Sequence, residues 1–224
     1  MARPRLGERA LDWLDRRYDV RYFLVDRVLL RRMPSGSPWW YRFGILAAFA
    51  LLVQFASGLA LLVQYVPTPE GASGSINQVQ AQIPFGWFVR GAHAAGAMFL
   101  VGLAALYLLA VVLRGLHKAP REINWMVLVM AFLTVLAMAY TGRVLPWDDA
   151  ALASVTAGAN LVRQIPGLGS TAANWLVGGD VPDRATLRRV LAFHVALGPF
   201  IVLSLVFLYV RLVRLTGHQP VEEG

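Results

Sequence analysis

The 224-residue sequence contains no cysteine, and that absence removes a range of chemistry. Disulfides, cysteine-ligated iron–sulfur clusters, thiolate metal sites and the CxxCH attachment of c-type haem are all excluded for this chain. A metal cofactor would have to rest mainly on histidine, and there are only four histidines. Charge is also sparse. Only 15% of residues are Asp, Glu, Lys or Arg, whereas a soluble domain carries about a quarter. The opening stretch MARPRLGERALDWLDRRYDV has no apolar core near residue 10, so it does not read as a cleavable signal peptide.

What the chain does have is apolar length. Hydrophobic residues make up 57% of it, gathered in runs that match the roughly 20 residues a spanning helix needs. The predicted fold class is all-α: an integral membrane four-helix bundle with an N-terminal amphipathic surface helix. The expected spans are about Phe43–Val66, Gly86–Leu113, Trp125–Gly142 and Val190–Val213. Trp39, Trp40 and Tyr41 precede the first, as interfacial aromatics do. Over residues 7–32, Leu11, Trp13, Leu14, Tyr18 and Phe23 interleave with Arg and Asp. That pattern predicts a helix lying on membrane lipid, with a solvated helix as the alternative, broken by RRMPSGSP. The domains are therefore read as 1–36 (surface helix and linker), 37–216 (the four-span domain) and 217–224 (tail). Residues 67–85 read as a polar loop. Pro146 stops the third span, and short helices are expected around Ala150–Val162 and Ser170–Leu176 in the long loop that follows.

A net charge of +8 would fit nucleic acid, but the basic residues flank the apolar runs, as they do in proteins that meet lipid headgroups, so no nucleic-acid partner is expected. Arg27, Arg31, Arg32 and Arg42 precede the first span, Arg114, Lys118 and Arg121 lie between the second and third, and Arg211 and Arg214 end the fourth. Residues 67–85 have no Lys or Arg. The positive-inside rule then puts both termini in the cytoplasm and the two polar loops on the outer side. The expected location is a bacterial cytoplasmic (inner) membrane.

His117 and His218 lie in the cytoplasmic flanks and are expected to face water or headgroups, whereas His93 and His194 lie inside spans, where an imidazole is costly and marks function. The bland alternative is a histidine bonded to a neighbouring helix. Spans two and four both enter from the outer side and carry these residues at similar depth, which is the arrangement that bis-histidine haem ligation requires. Gly91 and Gly96 flank His93, giving room for a porphyrin, and Arg90 and Arg189 lie outward of the histidines, where propionates would need cations.

The order of features resembles cytochrome b of the quinol–cytochrome c oxidoreductases, in particular the short four-helix cytochrome b6 form. The residues that carry the likeness are DWLDRRYDV, LLVQFASGLALL, GWFVRGAH, KAPREINW, TGRVLPWDD, IPGLGS and TLRRVLAFHVALGP, spread over roughly residues 10–216. The resemblance implies two haems, one near each face, with the two histidines on each ligand helix about 14 residues apart, roughly 21 Å along a helix. Here the outer pair is His93 and His194. The inner positions are Tyr107, 14 residues after His93, and Tyr209, 15 after His194. The family's pocket glycines map to Gly58 and Gly142 for the outer haem and to Gly44 and Leu128 for the inner one. Its arginine beyond the inner ligand is Ala110 here, and the split type's cysteine anchor for an extra haem is Arg42.

The resemblance thus implies one non-covalent haem b held by His93 and His194, with the inner haem absent. Arg90 and Arg189 would balance propionates, while Gln54, Gly58 and Gly142 would shape the pocket and Pro199 would bend span four below its ligand. Tyrosine can ligate haem iron, but Leu128 and Ala110 oppose an inner bis-tyrosine site. Tyr107 and Tyr209 would either fill the vacated space or line a lipid- or quinone-sized pocket. Implied partners are quinone or quinol, an iron–sulfur protein or cytochrome c, and a subunit carrying the remaining cytochrome b helices. The first reading is a haem b electron-transfer subunit of a membrane quinol/quinone oxidoreductase, not a stand-alone enzyme. A non-catalytic anchor or assembly subunit with a structural haem is the second reading. A transporter or channel is the third, opposed by the few charged groups within the spans.

Overall fold

A computed structural model describes residues 41–178 and 181–216. The surface helix expected over 7–32, Trp39 and Trp40, and the tail with His218 lie outside the described residues. The described elements are α1 (Tyr41–Gln64), α2 (Ala72–Gln82), α3 (Gly86–Leu113), α4 (Glu122–Val144), α5 (Asp149–Arg163), α6 (Gly169–Val177) and α7 (Arg184–Ala192), then a π-helical turn (Phe193–Leu197) and α8 (Gly198–Thr216). No strand occurs among the described residues.

Among the described residues, four runs are long and apolar enough to cross a bilayer: residues 42–64 of α1, α3, α4, and the continuous segment Arg184–Thr216. Their outward faces are apolar: Leu52 is 67% exposed, Val63 75% and Phe207 70%. Such surfaces are stable only against hydrocarbon, and the chain is an integral membrane protein. Where the spans meet one another, Ala50, Leu100, Leu103, Val135 and Val202 form an inner core.

A second core lies in the polar connections. Ala72, Val144, Trp147, Val155, Ala159, Ala173, Val177, Leu187 and Val190 pack together, joining α2, α5 and α6 to the ends of α4 and α7. Two tethers show that both connections share one face. The Tyr65 hydroxyl donates to the Leu145 carbonyl at 2.7 Å, and Arg184 pairs with Glu70 at 3.2 Å. Burial pushes the Tyr65 phenol up to about 12, so it stays a neutral donor.

The loop helices expected at Ala150–Val162 and Ser170–Leu176 are present, each a residue longer at both ends. The stretch read only as polar loop contains α2. Its composition, ASGSINQVQAQ, has little helical signature, but Ala72, Ser75 and Val79 fall on one face and are buried, so tertiary packing overrides local propensity.

The fourth span also differs from expectation. It begins at Arg184, ahead of the expected Val190, because Asp183 forms a capping box with Thr186. The Asp183 carboxylate accepts from the backbone N–H of Ala185 at 2.8 Å and of Thr186 at 3.1 Å. These contacts, the Thr186 backbone N–H foremost, hold its carboxyl below the ordinary carboxylate range. The cap is fully stabilising above the unfolded pKa of about 3.9 and is lost as pH falls through the lower folded value. Asp183→Ala should therefore lower the thermal midpoint at neutral pH, and the variant's midpoint should change less than wild type between pH about 5 and 3. Circular dichroism melts across that range check both expectations.

Pro199 was expected to bend the span. The structure places a π turn just before it, with the Gly198 N–H bonded to the Phe193 carbonyl five residues back. Proline cannot donate to the carbonyl four residues earlier and its ring crowds that carbonyl, so a locally wider turn accommodates it. Gly198 packs on α4, where an added Cβ would sit 3.0 Å from Met138 Cγ.

Candidate axial-ligand site

His93 lies two turns into α3 and His194 lies in the π turn. Their ring centres are 6.3 Å apart, with the ring planes at 76°. A metal–imidazole bond of about 2.0 Å on each side, with about 1.1 Å from each nitrogen to its ring centre, places two axial imidazoles ~6.2 Å apart. The observed spacing would let the two rings hold one iron between them.

Each ring has one nitrogen already engaged. His93 Nδ1 is 2.9 Å from Ser57 Oγ, and His194 Nδ1 is 3.1 Å from Thr141 Oγ1. That leaves Nε2 of each for a metal. Two glycines follow these hydroxyl residues directly. An added Cβ at Gly58 would lie 3.0 Å from His93 Cε1, and one at Gly142 would lie 2.7 Å from His194 Cε1. Both glycines are needed so that the helix backbones can approach the imidazoles.

Gln54 lies one turn before Gly58. Its side-chain Nε2 is buried without an acceptor and fills the notch at Gly96. Gly91, also expected to give clearance, meets nothing within 4 Å. On the outward side, Arg90 is half-buried one turn before His93. Arg189 precedes His194 by five residues, and its buried Nη1, packed against Gly178, has no hydrogen-bond partner. A buried guanidinium nitrogen without a hydrogen-bond partner suits an anionic group such as a propionate. Among the described residues no group of three or more His, Asp or Glu could hold a bare metal ion. His93 and His194, between helices lined by Gly58 and Gly142, would suit a macrocycle that supplies the remaining metal ligands itself.

At the inner positions Tyr107 and Tyr209 meet each other. Their hydroxyls are 2.9 Å apart and their rings pack edge to face at 6.2 Å. Gly44 lies against Tyr107 at ordinary contact distance, 3.4 Å for an added Cβ. The packed rings agree with the expectation that they fill the space between their helices.

His117 needs a correction too. It does not simply face water: its ring lies 6.3 Å from that of Trp125, and its Nδ1 is buried. Nearby, Asn124 donates to Thr216 Oγ1 at 2.8 Å, and Arg121 donates to the Thr216 carbonyl at 3.4 Å. These bonds join the start of α4 to the end of α8. Sequence reasoning passed over Ser57 and Thr141. The available signal was a hydroxyl residue directly before each pocket glycine.

Comparison with known proteins identifies the family. The family model described as cytochrome b/b6/petB matches residues 29–217. Cytochrome b of Rhodobacter capsulatus is 32% identical over 206 residues, covering 92% of this chain but 47% of its own length, so the chain spans about half of that relative. The menaquinol:cytochrome c reductase cytochrome b subunit of Geobacillus thermodenitrificans is 32% identical over 214 residues, covering 92% of this chain and 95% of that subunit. Among solved structures, a chain of a hyperthermophilic respiratory Complex III superposes with a TM-score of 0.80 at 30% identity, covering 92% of this chain and 55% of that one. The family match takes in α1 through α8, His93 and His194 included, and the chain is a member of the cytochrome b/b6 family.

Proposed function

We propose that this chain is a haem b electron-transfer subunit of a membrane quinol/quinone oxidoreductase of the cytochrome bc type. The observation that carries the proposal is the imidazole pair: two rings 6.3 Å apart on separate spans, each anchored through Nδ1. Haem b bound there supplies a one-electron Fe(III)/Fe(II) couple. His93 and His194 ligate, Gly58 and Gly142 give clearance, Gln54 offers an amide to the macrocycle, and Arg189 and Arg90 neutralise its carboxylates. The site lies on the same side as the two polar connections, which positive-inside reasoning assigns to the face opposite the cytoplasm in a bacterial inner membrane. Electrons would pass between quinol near that face and an iron–sulfur protein or cytochrome c, with a further subunit supplying the remaining cytochrome b helices. The names of the Geobacillus relative and of the Complex III neighbour support this assignment.

A single haem is proposed. Two iron–oxygen bonds of about 2 Å each need more space than the 2.9 Å between the Tyr107 and Tyr209 hydroxyls, and Leu128 replaces the family's inner glycine. Pyridine haemochrome per polypeptide tests the proposal directly. The expected value is one b-type haem. Two would overturn the single-haem proposal, and none would overturn the haem assignment itself. Tyr107→Ala should leave haem content within about 20% of wild type, since the ring lies roughly 21 Å along α3 from His93.

The tyrosine pair also supports a second reading, a non-catalytic anchor with a structural haem, because a relay across the whole membrane would be interrupted there. A haem that neither quinol nor any outer partner reduces would favour the anchor.

A further inference from the structure

We propose that Ser57 and Thr141 are matched positioning residues that fix the tautomer of the two axial histidines and lower the potential of the iron they hold. The inference rests on the haem assignment above. Each hydroxyl carries one proton, and in both cases that proton has an acceptor on its own helix. Ser57 Oγ donates to the Val53 carbonyl at 2.6 Å, with the Gln54 carbonyl at 3.4 Å. Thr141 Oγ1 donates to the Ala137 carbonyl at 2.9 Å, with the Met138 carbonyl at 3.1 Å. With its proton so committed, each oxygen turns a lone pair to the ring. The bonds at 2.9 Å and 3.1 Å must then run from Nδ1–H of His93 to Ser57 and from Nδ1–H of His194 to Thr141. The reverse arrangement would place the proton on Nε2 and block the metal.

The two halves of the site therefore repeat one device: a hydroxyl that accepts from Nδ1–H, followed at once by a glycine that admits the ring. Ser57–Gly58 supplies it from α1, and Thr141–Gly142 supplies it from α4.

An acceptor on Nδ1–H makes the imidazole a more basic ligand. A more basic ligand stabilises Fe(III) over Fe(II). Removing the hydroxyl should raise the midpoint potential.

The test uses the purified full-length protein carrying Ser57→Ala, Thr141→Val and both together, with haem per polypeptide and the midpoint potential measured on each. Each single variant should keep one haem and shift the one-electron equilibrium about threefold toward Fe(II). The double variant should shift it about tenfold, about 59 mV for one electron. Ser57→Thr and Thr141→Ser, which keep the oxygen, should restore the wild-type potential. Ser57→Cys, close in shape but a weak acceptor, should move the potential in the same direction and serves if the alanine variant does not accumulate. Wild-type protein without haem would overturn the haem assignment. Haem-replete hydroxyl-deletion variants with an unchanged or lowered potential would overturn this inference alone, as would hydroxyl-retaining variants that shift it equally.

Discussion

His194→Ala yields membrane-inserted protein with less than about a tenth of the wild-type haem. Removing a partner that only orients a ligand typically costs about 10–100-fold in metal affinity, so removing the ligand itself must cost at least as much. Insertion should survive. The last span is held by Leu187, Val190 and Val202 in the two cores and by its capping box, none of which uses the imidazole. His93→Ala should behave in the same way, because one iron needs both rings. The absorbance spectrum and the haemochrome assay, normalised to protein recovered from membranes, check this. A variant that keeps stoichiometric b-type haem after loss of either histidine would show that the 6.3 Å spacing is helix packing and nothing more.

The second large effect is expected at a residue with no side chain. In Gly142→Val the new Cβ falls 2.7 Å from His194 Cε1, well inside van der Waals contact, and two methyl groups add to the crowding. The flexible end of a long side chain could move aside, but this ring is tied through Nδ1 to Thr141 on the same turn. Overpacking costs about 1–3 kcal/mol, and each 1.4 kcal/mol is about tenfold in an equilibrium constant. Haem occupancy should therefore fall roughly tenfold or more at limiting haem. Gly58→Ala, at 3.0 Å from His93 Cε1, should lose less. Gly91→Ala, which meets nothing within 4 Å, should lose nothing. Occupancy across these three variants is the measurement. Equal occupancy in all of them would mean that glycine at 142 has no part in seating the ring.

Most of the architecture was legible because the membrane imposes it. Spans must be helical and long, and their composition alone marks them. The histidine pair was legible for the same reason, since imidazoles are costly in apolar segments and two at matched depth rarely serve packing alone. Helix α2 was not, because its buried face of Ala72, Ser75 and Val79 becomes apolar only when the rest of the outer core supplies its surroundings. The capping box at Asp183 could have been read from DRAT, but the apolar run starts later and drew the boundary with it. Ser57 and Thr141 were passed over because a hydroxyl on a spanning helix usually bonds its own backbone. These two do so as well, and their second role depends on rings from other helices. The orphaned Arg189 nitrogen and the contact between Tyr107 and Tyr209 are likewise facts of three-dimensional placement.

The π turn that holds His194 reconciles two counts that do not otherwise agree. Fourteen residues separate His93 from Tyr107, but fifteen separate His194 from Tyr209. In an unbroken α-helix that extra residue would swing Tyr209 about 100° around the axis and turn its phenol away from its partner. The wide turn at Phe193–Leu197 takes up the surplus like a slack link, so both cross-helix pairs meet. The upper and lower halves of the last span thus keep separate phase.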